Sequence, residues 1–192
     1  AVAGGALVPW IETAEQLRQA VAYAKYPPRG LRGIGGERAT GWGQCLAEHA
    51  AEANDHVLVV PIVETITAGR NVEELCDVDG TDFFFFGPAD YSSTAGYAGQ
   101  WEGPGVARQI LDHLAIIRSR GKQCGLLATD AENLTQRIEQ GFRVIGLGMD
   151  SGLMLRSLKG MLAAAGIEAR IRTSLMPDTT AIERQRNSEL DG

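Results

Sequence analysis

The chain has 192 residues, 44% of them hydrophobic, which is enough to bury one sizeable core and reads most simply as one domain. With 18 Lys and Arg against 24 Asp and Glu, the net charge is -6 and no basic stretch carries interleaved aromatics, so neither a nucleic-acid surface nor a nucleic-acid partner is expected. Cys45, Cys76 and Cys124 form neither a disulfide framework nor a C-x-x-C pair, no apolar run approaches the roughly 20 residues of a membrane span, and Ala-Val-Ala-Gly-Gly has no basic signal-peptide region; a reducing cytoplasm is the expected location.

Short apolar strands alternate with amphipathic stretches along the chain, the rhythm of repeated βα units in an α/β fold. Ala6 to Pro9 reads as a strand, and Thr13 followed by Gln16 has the spacing of a capping box before a helix that ends ahead of Tyr26-Pro27-Pro28. Gly30 to Ile34 is expected as a second strand, followed by a Gly-rich loop and a helix from about Gln44 to Ala53. His56 to Val63 is a strand, Ala68 to Leu75 a helix, Phe83 to Phe86 a strand and Val106 to Arg120 a helix. Gln123 to Leu127, Ala131 to Gln140 and Val144 to Leu147 continue as strand, helix and strand, and Asp150 to Ala165 is the last helix. The count is about six βα units, a partial barrel over residues 1–165 with a polar tail over 166–192. A closed barrel needs eight units and 200 to 250 or more residues.

The strands carry the chemistry at their ends. His56–Val63 and Asp82–Phe86 are apolar on both faces, as parallel strands covered by helices require. Glu64 follows the first and Asp90 the segment Phe86-Gly87-Pro88-Ala89 after the second, so both carboxylates are expected at neighbouring strand tips, facing one hard divalent cation. Arg32 reads equally as an ion-pair residue or a mouth residue. His113, in a helix beside Asp112, is expected to be solvated, and His56 is expected to open its strand.

These residues resemble the HpcH/HpaI aldolase family, the metal-dependent class II pyruvate aldolases. The resemblance rests on Leu7-Val8-Pro9, on Tyr26-Pro27-Pro28 with Gly30, Arg32 and Gly33, on the Glu64 strand, and on Phe86-Gly87-Pro88-Ala89-Asp90-Tyr91-Ser92 with Gly96. It covers about residues 5 to 160. It implies a (β/α)8 TIM barrel of the phosphoenolpyruvate/pyruvate type, with Glu64 and Asp90 binding Mg2+, or alternatively Mn2+ or Co2+. The Ala89 and Asp90 backbone would cup the pyruvate carboxylate, and Phe85 and Leu127 would form substrate walls. The implied reaction cleaves a 4-hydroxy-2-oxo acid to pyruvate and an aldehyde, with the cation stabilising the enolate oxygen. A homo-oligomer, hexameric or otherwise dimer-based, is implied as well, with the Asp150 to Ala165 helix at the contact.

Two departures qualify the resemblance. The family's catalytic His and Arg come from strands ahead of those present, so no residue of this chain inherits the catalytic role. Roughly 80 further N-terminal residues are expected on barrel arithmetic, and the 192 residues alone are expected to be inactive. Ile62 stands where many members carry Gln. Two other readings remain open: a citryl- or malyl-CoA type lyase, and a catalytically incomplete fragment that keeps only the metal pair.

Overall fold

The apolar runs build a sheet whose strands stand side by side in chain order. A computed structural model describes residues 4–167. In it β1 (Gly5–Val8), β2 (Leu58–Val63), β3 (Phe83–Phe86), β4 (Gln123–Leu127) and β5 (Val144–Gly146) are all parallel, in the order β1-β2-β3-β4-β5. Sequential parallel neighbours are what successive βα units produce, and these five strands form a half-barrel sheet. Two compact units divide the chain, residues 1–148 and 149–192. The first holds the sheet and the helices α1 (Ala14–Ala24), α2 (Leu46–His56), α3 (Ile66–Arg70), α4 (Val72–Cys76), α5 (Pro88–Thr94), α6 (Val106–Ser119) and α7 (Ala131–Gln140). In the second, α8 (Asp150–Ala164) is the described element.

Alternation along the strands sorts the core from the site. Phe84 and Phe86 are fully buried and cluster with Leu17 of α1, Leu75 of α4 and Ile110 and Ile117 of α6. Phe83 and Phe85 point to the other face, half-buried, with their rings 6.5 Å apart edge to face. Register carries this face across the sheet, since Phe85 lies opposite Ile62 on one side and opposite Gly125 on the other. Buried positions Val106, Ile110, Leu114 and Ile117 recur at helical spacing along α6.

Local chemistry sets the helix ends, at Thr13 as expected. The Thr13 hydroxyl accepts from the Gln16 amide at 3.2 Å, and the Gln16 side chain accepts from the Thr13 amide at 3.1 Å, completing the capping box of α1. Asp130 accepts from the Asn133 amide at 2.8 Å at the start of α7, and Gly141, at φ +102°, ends that helix in a left-handed turn.

Three expected elements require correction. Gly30 to Ile34 is not a strand, so five strands rather than six are present among the described residues. The amides of Leu31 and Arg32 donate to the carbonyls of Ala22 and Lys25, at 2.6 and 2.9 Å. The segment therefore satisfies the open carbonyls at the end of α1 instead of joining the sheet. The single helix expected over Ala68–Leu75 is broken at Asn71 into α3 and α4. His56 is the last residue of α2, not the first of β2. Pro88 to Thr94, to which the sequence assigned no element, is α5, entered through Pro88 in its first turn.

His113 is not solvated but half-buried, on the side of α6 that meets Tyr91 of α5. Its Nε2 lies 3.0 Å from the Tyr91 hydroxyl, which donates to Gln109 at 2.8 Å, while its Nδ1 is buried without a partner. Burial pushes the His113 pKa down, against a smaller upward pull from Asp112. The unfolded chain therefore binds this proton first as pH falls. The stability contribution of the neutral ring should be complete above about pH 6.5 and lost progressively below it. Melting temperatures of the wild type and of His113→Gln between pH 7.5 and 5.5 check this: the variant should lack that component of the acid-side decline.

Among the described residues no helix is long and apolar enough to cross a membrane.

Candidate functional site

β2 ends at Val63, so Glu64 is the first residue beyond the C-terminal end of that strand. Its side chain is 6% exposed, and its Oε1 accepts the main-chain N–H of Trp10 at 2.8 Å, reaching across from the loop after β1. Trp10 holds φ +54°, in the left-handed region, although more than half of its surface is exposed. For a bulky residue that conformation costs about 1–3 kcal/mol and persists only where its surroundings enforce it.

Beyond β3 the chain turns at Gly87, whose amide donates to the Val63 carbonyl at 3.2 Å. A Cβ at Gly87 would lie 2.8 Å from the Glu64 Cβ and 2.9 Å from its Oε2. Glycine at this position thus allows the β3–α5 turn to approach the carboxylate, and it places Oε2 against the segment that leads to Asp90. Asp90 lies in the first turn of α5 rather than at the strand tip, and it is exposed. The first turn of a helix is a favourable place for negative charge.

Burial pushes the Glu64 carboxyl up; the Trp10 N–H pulls it down by a smaller amount, and the negative charge of Asp90 adds to the rise. A buried carboxyl disfavoured both by desolvation and by a second carboxylate is a place where a cation would relieve both penalties.

One pocket at the C-terminal ends of β2, β3 and β4 brings together all five residues singled out in the sequence: Glu64, Asp90, Ala89, Phe85 and Leu127. Ile62 and Trp101 complete its apolar wall. Among the described residues no group of three or more His, Cys, Asp or Glu converges, so the acidic pair is a two-donor set. Two hard oxygen donors leave most of a coordination shell to water and ligand oxygens, which fits Mg2+-like ions and not a closed zinc site.

Arg32 and two lysines with carbonyl partners lie elsewhere in the fold. Arg32 stacks over the Tyr26 ring, 4.5 Å from its centroid. Lys25 is buried, its Nζ donating to the Asn54 and Val57 carbonyls at 2.6 Å each, and burial, followed by Arg29, pushes its pKa down. Lys122 donates to the carbonyls of Val78 and Thr81. All three cations therefore hold the framework together.

Four residues at the site escaped the sequence reading: Trp10, Gly87 as a contact, Ile62 as a wall, and Trp101. Trp10 acts through a backbone amide that any residue type carries. Trp101 sits in a loop where periodicity gives no orientation. Ile62 was legible in principle, since residues two apart on a strand share a face and Glu64 follows it by two.

A parallel half-barrel sheet with an acidic pocket at its C-terminal strand ends is the arrangement in which α/β-barrel enzymes place their chemistry. The model of the HpcH/HpaI aldolase/citrate lyase family matches residues 2–157, and the chain belongs to that family. It is 34% identical over 165 residues to the 4-hydroxy-2-oxo-heptane-1,7-dioate aldolase of Escherichia coli, covering 85% of this chain and 63% of the relative. It is 39% identical over 167 residues to the 4-hydroxy-2-oxovalerate aldolase of Novosphingobium aromaticivorans, covering 83% of this chain and 63% of that protein. Among solved structures, an HpcH/HpaI aldolase/citrate lyase family protein from Burkholderia cenocepacia superposes with a TM-score of 0.79 at 30% identity, over 84% of this chain and 65% of that one. The chain thus spans 63% of the length of these two curated relatives.

Proposed function

We propose that this pocket is the metal and 2-oxo acid site of an aldolase that cleaves a 4-hydroxy-2-oxo acid into pyruvate and an aldehyde. The observation that carries the reading is the buried Glu64 carboxyl set against Asp90 in an otherwise apolar pocket. Glu64 and Asp90 would hold a divalent ion, Mg2+ or alternatively Mn2+ or Co2+, with the rest of its shell taken by water and the 2-oxo acid. A dication bound there supplies Lewis-acid stabilisation of the charge that develops on the keto oxygen.

The chain's own residues do the remaining work assigned to them here. The Ala89–Asp90 backbone, opened by Gly87, receives the carboxylate of the 2-oxo acid. Phe85 and Leu127 wall the pocket and keep water from the reacting carbons. Ile62 adds apolar surface where a polar side chain would compete for the ligand. No described residue lining the pocket is a His, Lys or Arg. The proton transfers of the aldol reaction therefore call for a basic side chain from beyond this described lining.

Chelation tests the reading in the full-length protein. A chelator should abolish pyruvate formation from a 4-hydroxy-2-oxo acid, and Mg2+, Mn2+ or Co2+ should restore it. Borohydride with substrate should trap no lysine adduct, because no described residue lining this pocket is a lysine. Trapping, or activity that survives chelation, would refute it.

A further inference from the structure

The Trp10 amide reaches Glu64 from a loop whose own packing does not explain its geometry. Trp10 is 56% exposed, so its indole does not hold the left-handed backbone in place. Its neighbours on the C-terminal side do. Ile11 is buried in the core. The Glu12 carbonyl accepts the Asn71 side-chain amide at 2.8 Å, from the junction of α3 and α4. The Glu12 carboxylate accepts the Thr65 hydroxyl at 2.7 Å, and Thr65 directly follows Glu64 and caps α3 by accepting from the Ala68 amide at 3.0 Å. The Glu12 amide is also occupied, donating to Gln16 at 2.8 Å. The donor and acceptor of the Glu12 main chain, together with its carboxylate, are thus all committed to fixing one loop.

We propose that Glu12, Thr65 and Asn71 form a clamp that holds the Pro9–Ile11 loop so that the Trp10 N–H fixes Glu64 with one oxygen tied and the other free for a cation. Glu12 and Asn71 are then positioning residues for the metal, acting through Trp10 and Glu64 without touching the ion. The inference rests on the metal-site reading proposed above.

Several features favour positioning over bulk support. The strain sits at the one residue of the loop that contacts the buried carboxylate, and strained backbone enforced from outside gathers at functional sites. The N–H occupies Oε1 and leaves Oε2, which lies against Gly87 on the side of α5. An untied Glu64 would have to be ordered by the ion itself, and outer partners that order a ligand in advance are worth 10–100-fold in metal affinity. The hydroxyl of Thr65 ties the clamp to the residue next to the ligand, so loop and carboxylate move as one unit.

The test measures Mn2+ affinity by electron paramagnetic resonance and metal-free melting temperature on the full-length protein. Glu12→Ala and Asn71→Ala should weaken Mn2+ binding by about 10–100-fold. Glu12→Gln, whose side-chain oxygen still accepts from Thr65, should restore affinity to within about 2-fold of the wild type. Asp130→Ala removes the α7 cap away from the site; it should lower the melting temperature and leave Mn2+ affinity unchanged. Equal Mn2+ affinity in the wild type, Glu12→Ala and Asn71→Ala would overturn the clamp while leaving the metal site standing. So would a loss in Glu12→Ala that Glu12→Gln fails to rescue, or one that Asp130→Ala matches. A wild type that binds no Mn2+ would overturn the metal-site reading and the clamp with it.

Discussion

Glu64→Gln in the full-length protein should remove metal-dependent stabilisation without destabilising the metal-free fold. At a free Mn2+ concentration 100 times its dissociation constant, a single native-state site adds about 2.7 kcal/mol to the wild type. The variant should show essentially none of this, since losing a charged donor from a two-donor set should cost more than the 10–100-fold attached to outer partners. Metal-free stability should hold or rise slightly. Burial and Asp90 already disfavour the Glu64 charge, and an amide of the same shape keeps an oxygen to accept the Trp10 N–H. Asp90→Asn should also lose the metal response, with a smaller change in metal-free stability because Asp90 is exposed. Thermal unfolding with and without Mn2+ reads both effects. A Glu64→Gln protein still stabilised by Mn2+ like the wild type would show that the ion binds elsewhere.

Phe84→Ala should be among the most damaging core substitutions. Phe84 is fully buried, and it packs with Leu75, Ile110 and Ile117 on the helix-covered face of the sheet. Removing a buried phenyl ring costs about 3–5 kcal/mol, the transfer term plus the cavity it leaves. Phe85→Ala, one residue along but on the pocket face and half-buried, should cost clearly less stability and should act on the substrate end instead. Chemical denaturation of the two variants compares them directly. Equal losses would contradict the assignment of alternate phenylalanines to opposite faces.

The run Phe83 to Phe86 shows how far the sequence carries. Its length, β-propensity and apolar character on both faces implied a buried parallel strand, and its four residues are β3. Thr13 and Gln16 likewise announced the start of α1, because a capping box is local chemistry and needs no tertiary information. The same logic failed at Gly30 to Ile34. A short apolar stretch between glycines looks like a strand in isolation, but the nearest open acceptors were the last carbonyls of α1, and the segment's amides went to them. His113 failed for the complementary reason. Asp112 beside it suggested a wet face, whereas the side of the helix that meets Tyr91 depends on where α5 falls.

The candidate site was legible as residue types and spacing, less so as geometry. Glu64 and Asp90, 26 positions apart, were recognisable because strand-end carboxylates and a Gly-Pro turn leave a local signature, and Phe85 and Leu127 followed from the resemblance. Asp90 was expected at a strand tip and stands in a helical turn, because Gly87-Pro88 serves as the entry to α5. The Trp10 contact was invisible in the sequence, since it runs through a main-chain amide 54 residues from its acceptor.

The most direct test of the account is a crystal of the full-length protein soaked with Mn2+ and pyruvate, with anomalous scattering collected at the manganese edge. The account predicts one strong peak within about 2.0–2.6 Å of a carboxylate oxygen of Glu64 and of Asp90, with pyruvate oxygens completing its shell beside Ala89. A manganese peak elsewhere in the molecule, with Glu64 and Asp90 bound only to protein and water, would contradict it.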